Sequence, residues 1–98
     1  MSPPNRRVKL RPTARKDLEA IWVYTHRQWG AEQADTYITR LSERMDFAAA
    51  QPDRFPIEKE LNPPLRIAFA GSHVILFREM TEGIEVIRIR HQREDWRR

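Results

Sequence analysis

Two helical patterns follow one another with almost nothing between them, and this does most to limit what the chain can become. Ala14, Leu18, Ile21, Thr25 and Gln28 step by four and three, with Leu18, Ile21 and Trp22 as the apolar body, so the spacing predicts an amphipathic helix over 14–28. Pro12 ends whatever precedes it, Thr13 is the expected N-cap, and Asp17 lies near the positive end of the helix. Trp29-Gly30 closes it, with Gly30 suited to a left-handed terminal position. The next pattern starts at once: Ala34, Tyr37, Ile38, Leu41, Met45 and Ala48, stopped by Gln51-Pro52. Helices of about 15 and about 20 residues across so short a joint must fold back on each other as an antiparallel hairpin.

The rest of the chain has the period of strands. Arg7-Val8-Lys9-Leu10-Arg11 alternates basic and apolar residues, a short strand burying Val8 and Leu10. Pro52, Pro56, Pro63 and Pro64 remove too many donors for regular structure, so 52–64 is expected as one long loop. Leu65, Ile67 and Phe69 then alternate with Arg66, Ala68 and Ala70, and Gly71-Ser72 supplies a turn. His73 to Arg78 is apolar on both faces, as an interior strand requires, and Thr81-Glu82-Gly83 makes the next turn. In the last strand Ile87 and Ile89 alternate with Arg88 and Arg90, and His91 falls on the isoleucine side. The order β-α-α-β-β-β gives an α+β class, with the N-terminal strand and the helical hairpin packed on one face of a small antiparallel sheet. At 98 residues, 1–98 is expected to be a single domain with one modest core.

Charge is unevenly placed. Residues 1–16 hold six Lys/Arg and no acid, 86–98 are net +3, and 17–85 are net −5, within a total of +4. If the two ends meet in the fold, they form a positive patch able to attract an acidic surface or a phosphate backbone; otherwise they are solvated surface charge. Apolar runs such as Val74 to Phe77 are far short of the ~20 residues of a membrane span. The N-terminus has no apolar stretch behind its arginines and reads as no secretory signal. Lack of cysteine excludes disulfides, thiolate catalysis and cysteine-ligated zinc, and a cytoplasmic setting is expected.

No Gly-rich phosphate loop, nucleophile elbow, HExxH pair or EF-hand loop is present. His26, His73 and His91 show no ligand spacing, so neither a metal nor a cofactor is expected. His91, within Arg88-Ile89-Arg90-His91-Gln92-Arg93, has a suitable ordinary pKa for acid–base work, against the plainer role of a histidine satisfied at a strand end. Arg66, Arg88, Arg90 and Arg93 could form one basic sheet face, or simply the outward polar residues of an antiparallel sheet. Trp22 and Trp29 are expected in or beside the helix hairpin, and Trp96 either at an interface or in local packing.

Taken together these residues resemble the ParE toxins of the RelE/ParE superfamily, over about residues 7–95. The resemblance rests on Leu10 with Ala14, Asp17-Leu18, Ile21-Trp22 and Tyr24, then Trp29-Gly30, Gln33-Ala34 and Tyr37. It continues through Ala50-Gln51-Pro52, Arg66, Gly71-Ser72-His73-Val74-Ile75, Arg78, Ile87-Arg88-Ile89, His91-Gln92-Arg93 and Asp95. Phe77 stands where the family often has tyrosine, and Leu61-Asn62-Pro63-Pro64 replaces a loop usually richer in glycine. The resemblance implies a toxin that inhibits DNA gyrase by trapping the cleaved-DNA complex, with the first strand lying beside the last. It implies neutralisation by a ParD-like antitoxin with a ribbon-helix-helix head and a wrapping tail, operator DNA being reached only through that antitoxin. Trp22, Trp29, Tyr37, Arg66, Arg78 and Arg88 are then the candidate antitoxin contacts, and Arg88, Arg90, His91, Arg93 and Trp96 the candidate target contacts. The alternative is a ribosome-dependent mRNA endonuclease of the RelE type, for which Arg66, His91 and Arg93 are the candidate catalytic groups. DNA binding by the helix hairpin itself fits poorly, because the second helix sets Glu32, Asp35, Glu43 and Asp46 against Arg40 and Arg44.

Overall fold

The computed structural model describes residues 6–97. Strand β1 (Arg7–Leu10) leads into helices α1 (Pro12–Trp29) and α2 (Ala31–Ala50); a 3₁₀ turn (Pro52–Arg54) and strands β2 (Ile57–Glu58), β3 (Leu65–Ala70), β4 (His73–Met80) and β5 (Gly83–His91) follow. The strands form one sheet in the order β1-β5-β4-β3-β2. The meander is antiparallel as expected, but β1 pairs parallel to β5, from Arg7 opposite Gly83 to Leu10 opposite Val86, so the sheet is mixed. A helix pair between β1 and the meander provides the long connection that a parallel pairing needs. At Gly83 the backbones come so close that a Cβ would sit 1.9 Å from the Arg7 carbonyl oxygen, and its φ of 155° also favours glycine.

The start of α1 differs from the expected cap, for a reason found in the sheet. Pro12 occupies the first helical position, where its missing N–H costs nothing, and Arg11 is the extended N-cap residue without a side-chain cap bond. Thr13 instead donates its hydroxyl to the Ile87 carbonyl at 3.0 Å, beside an Arg11 N–H to Val86 carbonyl bond of 3.0 Å. Asp17 accepts the Ile89 N–H at 2.9 Å. Where β1 runs out, the first turns of α1 thus continue the satisfaction of β5's outer edge. At the hairpin joint Gly30 has φ 95°, a left-handed conformation open to glycine, and donates its N–H to the His26 carbonyl at 2.8 Å.

Each face of the sheet carries an apolar cluster. On the helical side Ala14, Ile21, Leu41, Met45, Ala48 and Ala49 pack on Ala68, Ala70, Ile75, Phe77, Ile84, Val86 and Ile89. The small alanines on both helices allow close approach to the sheet. On the other side Leu61, Leu65, Ile67, Val74, Leu76 and Trp96 form a second cluster, flanked by Ile87. Trp96 is therefore a packing residue, 5% exposed, with the Phe69 ring edge-on at 6.1 Å and the Arg97 guanidinium over it at 4.1 Å. The proline-bearing 52–64 segment is more regular than expected, holding the 3₁₀ turn and β2. Phe55 anchors it between Phe47 and Phe77 in an edge-to-face series at 5.8 and 5.7 Å. Among the described residues no helix is long and apolar enough to cross a membrane.

Candidate functional site

At the end of the sheet where β4 begins and β5 finishes, His73 and His91 are directly opposed partners. The C-terminus of α1 and the N-terminal half of α2 stand over them, enclosing an open hollow of about 490 Å³ between Ile21, Tyr24, Trp29 and Tyr37 and the two histidines. Trp29 is 59% exposed and belongs to this rim, beside the hairpin and outside its core. Trp22 is half-buried, donates its indole N–H to Asp35 at 2.9 Å, and stacks on His26 at 4.9 Å, so it joins the two helices.

Hydrogen bonds tie the rings of the hollow to the β3–β4 turn. The Tyr37 hydroxyl oxygen accepts the Ser72 N–H at 3.0 Å and lies 2.6 Å from His73 Nδ1. The hydroxyl and the imidazole nitrogen thus share one short hydrogen bond. His91 Nδ1 accepts the Arg93 N–H at 3.0 Å, so His91 carries its proton on Nε2. The rings meet edge to face at 5.2 Å. Burial, and then the neighbouring His91, push the His73 pKa below its ordinary 6.5. The result is an aromatic hollow with two imidazole rings at its floor, suited to an apolar or aromatic group.

A tight C-terminal turn borders the hollow. Glu94 accepts from Arg90 Nη2 at 2.6 Å and from the His91 N–H at 2.8 Å, and these bonds hold its carboxyl down at about 2. Gln92 ties the turn to the β3–β4 turn, through its N–H to the Ser72 carbonyl and its side-chain amide to the Gly71 carbonyl, each at 2.9 Å. Arg93 projects from this turn with an exposed side chain.

Of the four arginines that could have formed one basic sheet face, Arg66, Arg88 and Arg90 are held by separate partners. Arg88 clasps Asp17 with two bonds of 2.8 and 3.1 Å, which raise its pKa further, and Arg90 is held by Glu94. Arg66 lies toward the opposite end of the sheet, donating to the Phe55 carbonyl at 2.6 Å and meeting Glu79 at 3.4 Å. Ala70, whose partner is His73, lies four positions further along β3, a distance of roughly 13 Å along the strand alone. The trio Arg66, His91 and Arg93 therefore does not converge on one reacting atom. Arg78 is on the face away from the helices, paired with Glu85 at 2.6 Å. Among the described residues no group of His, Cys, Asp and Glu gathers that could hold a metal ion.

The pairing of His73 with His91, and Tyr37 beside them, escaped the sequence reading. Hairpin symmetry about Thr81-Glu82-Gly83 places His73 within one residue of its partner, but an irregularity between Leu76 and Phe77 decides that it meets His91 and not Arg90.

The model of the ParE toxin of the type II toxin–antitoxin system parDE matches residues 8–96. The chain is 41% identical over 90 residues to "Toxin ParE1" of Mycobacterium tuberculosis, covering 91% of this chain and 92% of that protein. It is 33% identical over 84 residues to "Toxin ParE1" of Caulobacter vibrioides, covering 86% of each. Among solved structures, a chain of "Chromosomal ParDE TA system from P. aeruginosa" superposes with a TM-score of 0.74 at 20% identity, covering 86% of this chain and 92% of that one, a likeness of fold.

Proposed function

The chain belongs to the ParE toxin family of type II toxin–antitoxin systems, and from that membership we propose that it arrests replication by inhibiting DNA gyrase without itself catalysing a reaction. The observation that carries the non-enzymatic reading is the dispersal of the nuclease candidates. Arg66 is held at the far end of the sheet, and His91 Nδ1 is occupied by the Arg93 N–H. An RNA-cleaving centre needs base, acid and cation around one phosphate, and these three residues do not supply it.

The target contact in this proposal is the C-terminal turn, with Arg93 outermost, His91 and Arg90 shaping it, Arg88 fixing β5 to α1, and Trp96 supporting it from the second cluster. A ParD-like ribbon-helix-helix antitoxin is the proposed partner, supported by the ParDE system named for the solved neighbour. Its tail would dock on the aromatic rim of Trp29 and Tyr37, where Tyr24 is also exposed, and reach the half-buried Trp22 on the hairpin. Arg66, Arg78 and Arg88 are already paired within the chain and would contribute through charge more than through new hydrogen bonds. Sequence-specific operator recognition belongs to the antitoxin, and the setting is the cytoplasm.

Pulse labelling tests the reading. Expression without antitoxin should depress thymidine incorporation before amino-acid incorporation, with filamentation; the reverse order favours the nuclease.

A further inference from the structure

Basic residues of the N-terminal segment gather on the side of the sheet away from the helices, where Arg78 of β4, and not the C-terminal arginines, joins them. Val8 and Leu10 pack into the helical-side core, so by strand alternation Arg7, Lys9 and Arg11 stand on the opposite face, about 6.6 Å apart in a row. Arg78 joins them from β4 across β5. At their centre Glu85 is 5% exposed, between Lys9 on β1 and Arg78 on β4 in the register. Its carboxylate holds Arg78 at 2.6 Å and Arg11 at 3.5 Å, which fixes both side chains against the sheet. Arg78's hydrogen bond keeps that carboxyl below its ordinary range despite burial. A guanidinium has five N–H donors, so both arginines keep donors for an outside anion. Even with Glu82 at the end of the row counted against it, the patch of four cations and two acids stays positive.

We propose that this outer face along β1 binds the phosphate backbone of duplex DNA, without sequence preference. A protein partner is the poorer fit. Interfaces between proteins need an apolar centre, and the exposed large apolar residues among those described, Val23, Tyr24, Trp29, Phe47, Ile57 and Phe69, are all on the helices, β2 or β3. The aromatic rim proposed for the antitoxin tail lies on the helical side and this basic row on the other, with Arg78 alone named for both, so the toxin can touch both partners. A row of cations on a rigid strand gives position and charge but no reader of base edges, which is the chemistry of backbone contact. The proposal stands independently of gyrase; if the gyrase reading holds, the bound duplex is the segment that enzyme cleaves.

The test is fluorescence anisotropy of the full chain with two unrelated labelled duplexes of equal length, from about 50 to about 200 mM salt. Both duplexes should bind equally, with a logarithmic salt slope of about −3 for three to four phosphates neutralised. Arg7→Glu with Lys9→Glu should weaken binding more than tenfold, and the milder Arg7→Gln with Lys9→Gln several-fold. Lys16→Glu with Arg27→Glu, the same charge change on α1, should cost less than threefold. Circular dichroism confirms that each variant is folded. The proposal is overturned by absent duplex binding at the lowest salt, by equal losses in the β1 and α1 variants, or by tighter binding to a poly-glutamate peptide than to duplex. Duplex binding without gyrase inhibition would sink the proposed function alone; gyrase inhibition without duplex binding would sink this one alone.

Discussion

Replacing Asp17 with alanine should cost about 2–3 kcal/mol of stability, although a surface ion pair alone would predict far less. Asp17 accepts three hydrogen bonds, two from Arg88 and one from the Ile89 N–H. Side-chain exposures of 39% for Arg88 and 16% for Asp17 put the pair in partly screened surroundings, where it contributes about 0.5–1 kcal/mol. The Ile89 N–H differs, because Ile89 is buried and lies beyond Val86, where the pairing of β1 with β5 has ended; losing a charged acceptor there costs about 1.5–3 kcal/mol. Alanine's better helix propensity returns about 0.5 kcal/mol. The net effect corresponds to a fall of roughly 10–20 °C in melting temperature for a chain of this size. Urea denaturation of Asp17→Ala, Asp17→Asn, Arg88→Ala and the double variant separates the contributions. Asparagine keeps one oxygen for Ile89 and should cost about 1 kcal/mol. In the Arg88→Ala background Asp17→Ala should still cost at least about 1 kcal/mol. A zero cost there would show that Asp17 acts only through Arg88 and would refute the edge-capping account.

Trp96→Ala should destabilise by about 3 kcal/mol in the same denaturation assay, because it empties the second cluster; a change under about 0.5 kcal/mol would return the indole to the surface. Glu94, with its carboxyl held at about 2, should contribute stability that is complete above pH 4.5 and is lost as pH falls from 4.5 toward 2. Glu94→Gln should flatten that part of the stability curve, and an unchanged acid limb would contradict the turn geometry. His73 should titrate below 6.5 by NMR, and His91→Gln should raise its midpoint by removing a like charge. Since burial lowers the His73 pKa, its neutral form favours the fold, and stability should fall as pH drops below 6.5 through the lowered value.

The helical hairpin was legible because periodicity, Gly30 and Gln51-Pro52 all agree on its limits. The meander was equally open to reading, since Leu65 to His91 alternates between two well-signalled turns. The start of α1 was misread because Thr13 is a good cap residue in isolation; only the neighbouring β5 edge offers its hydroxyl a different acceptor. For Trp96 the sequence left packing and interface open, and the choice depended on the opposite sheet face being apolar through Leu65, Ile67, Val74 and Leu76. At the candidate site the individual residues were visible, but their meeting depends on strand register. The irregularity between Leu76 and Phe77 brings His73 to His91, and no local signal announces it. The dispersal of Arg66, Arg88 and Arg90 was hidden for the same reason: alternation assigns a face, while their actual acceptors are a backbone carbonyl and carboxylates 71, 13 and 4 residues away.

The most direct test combines the purified chain with gyrase, supercoiled DNA and ATP, and quenches with detergent and protease so that any trapped cleavage complex appears as linear DNA. Linear DNA should accumulate with toxin dose, while mRNA on translating ribosomes stays intact. Unaffected gyrase beside cleaved ribosome-bound mRNA would contradict the account.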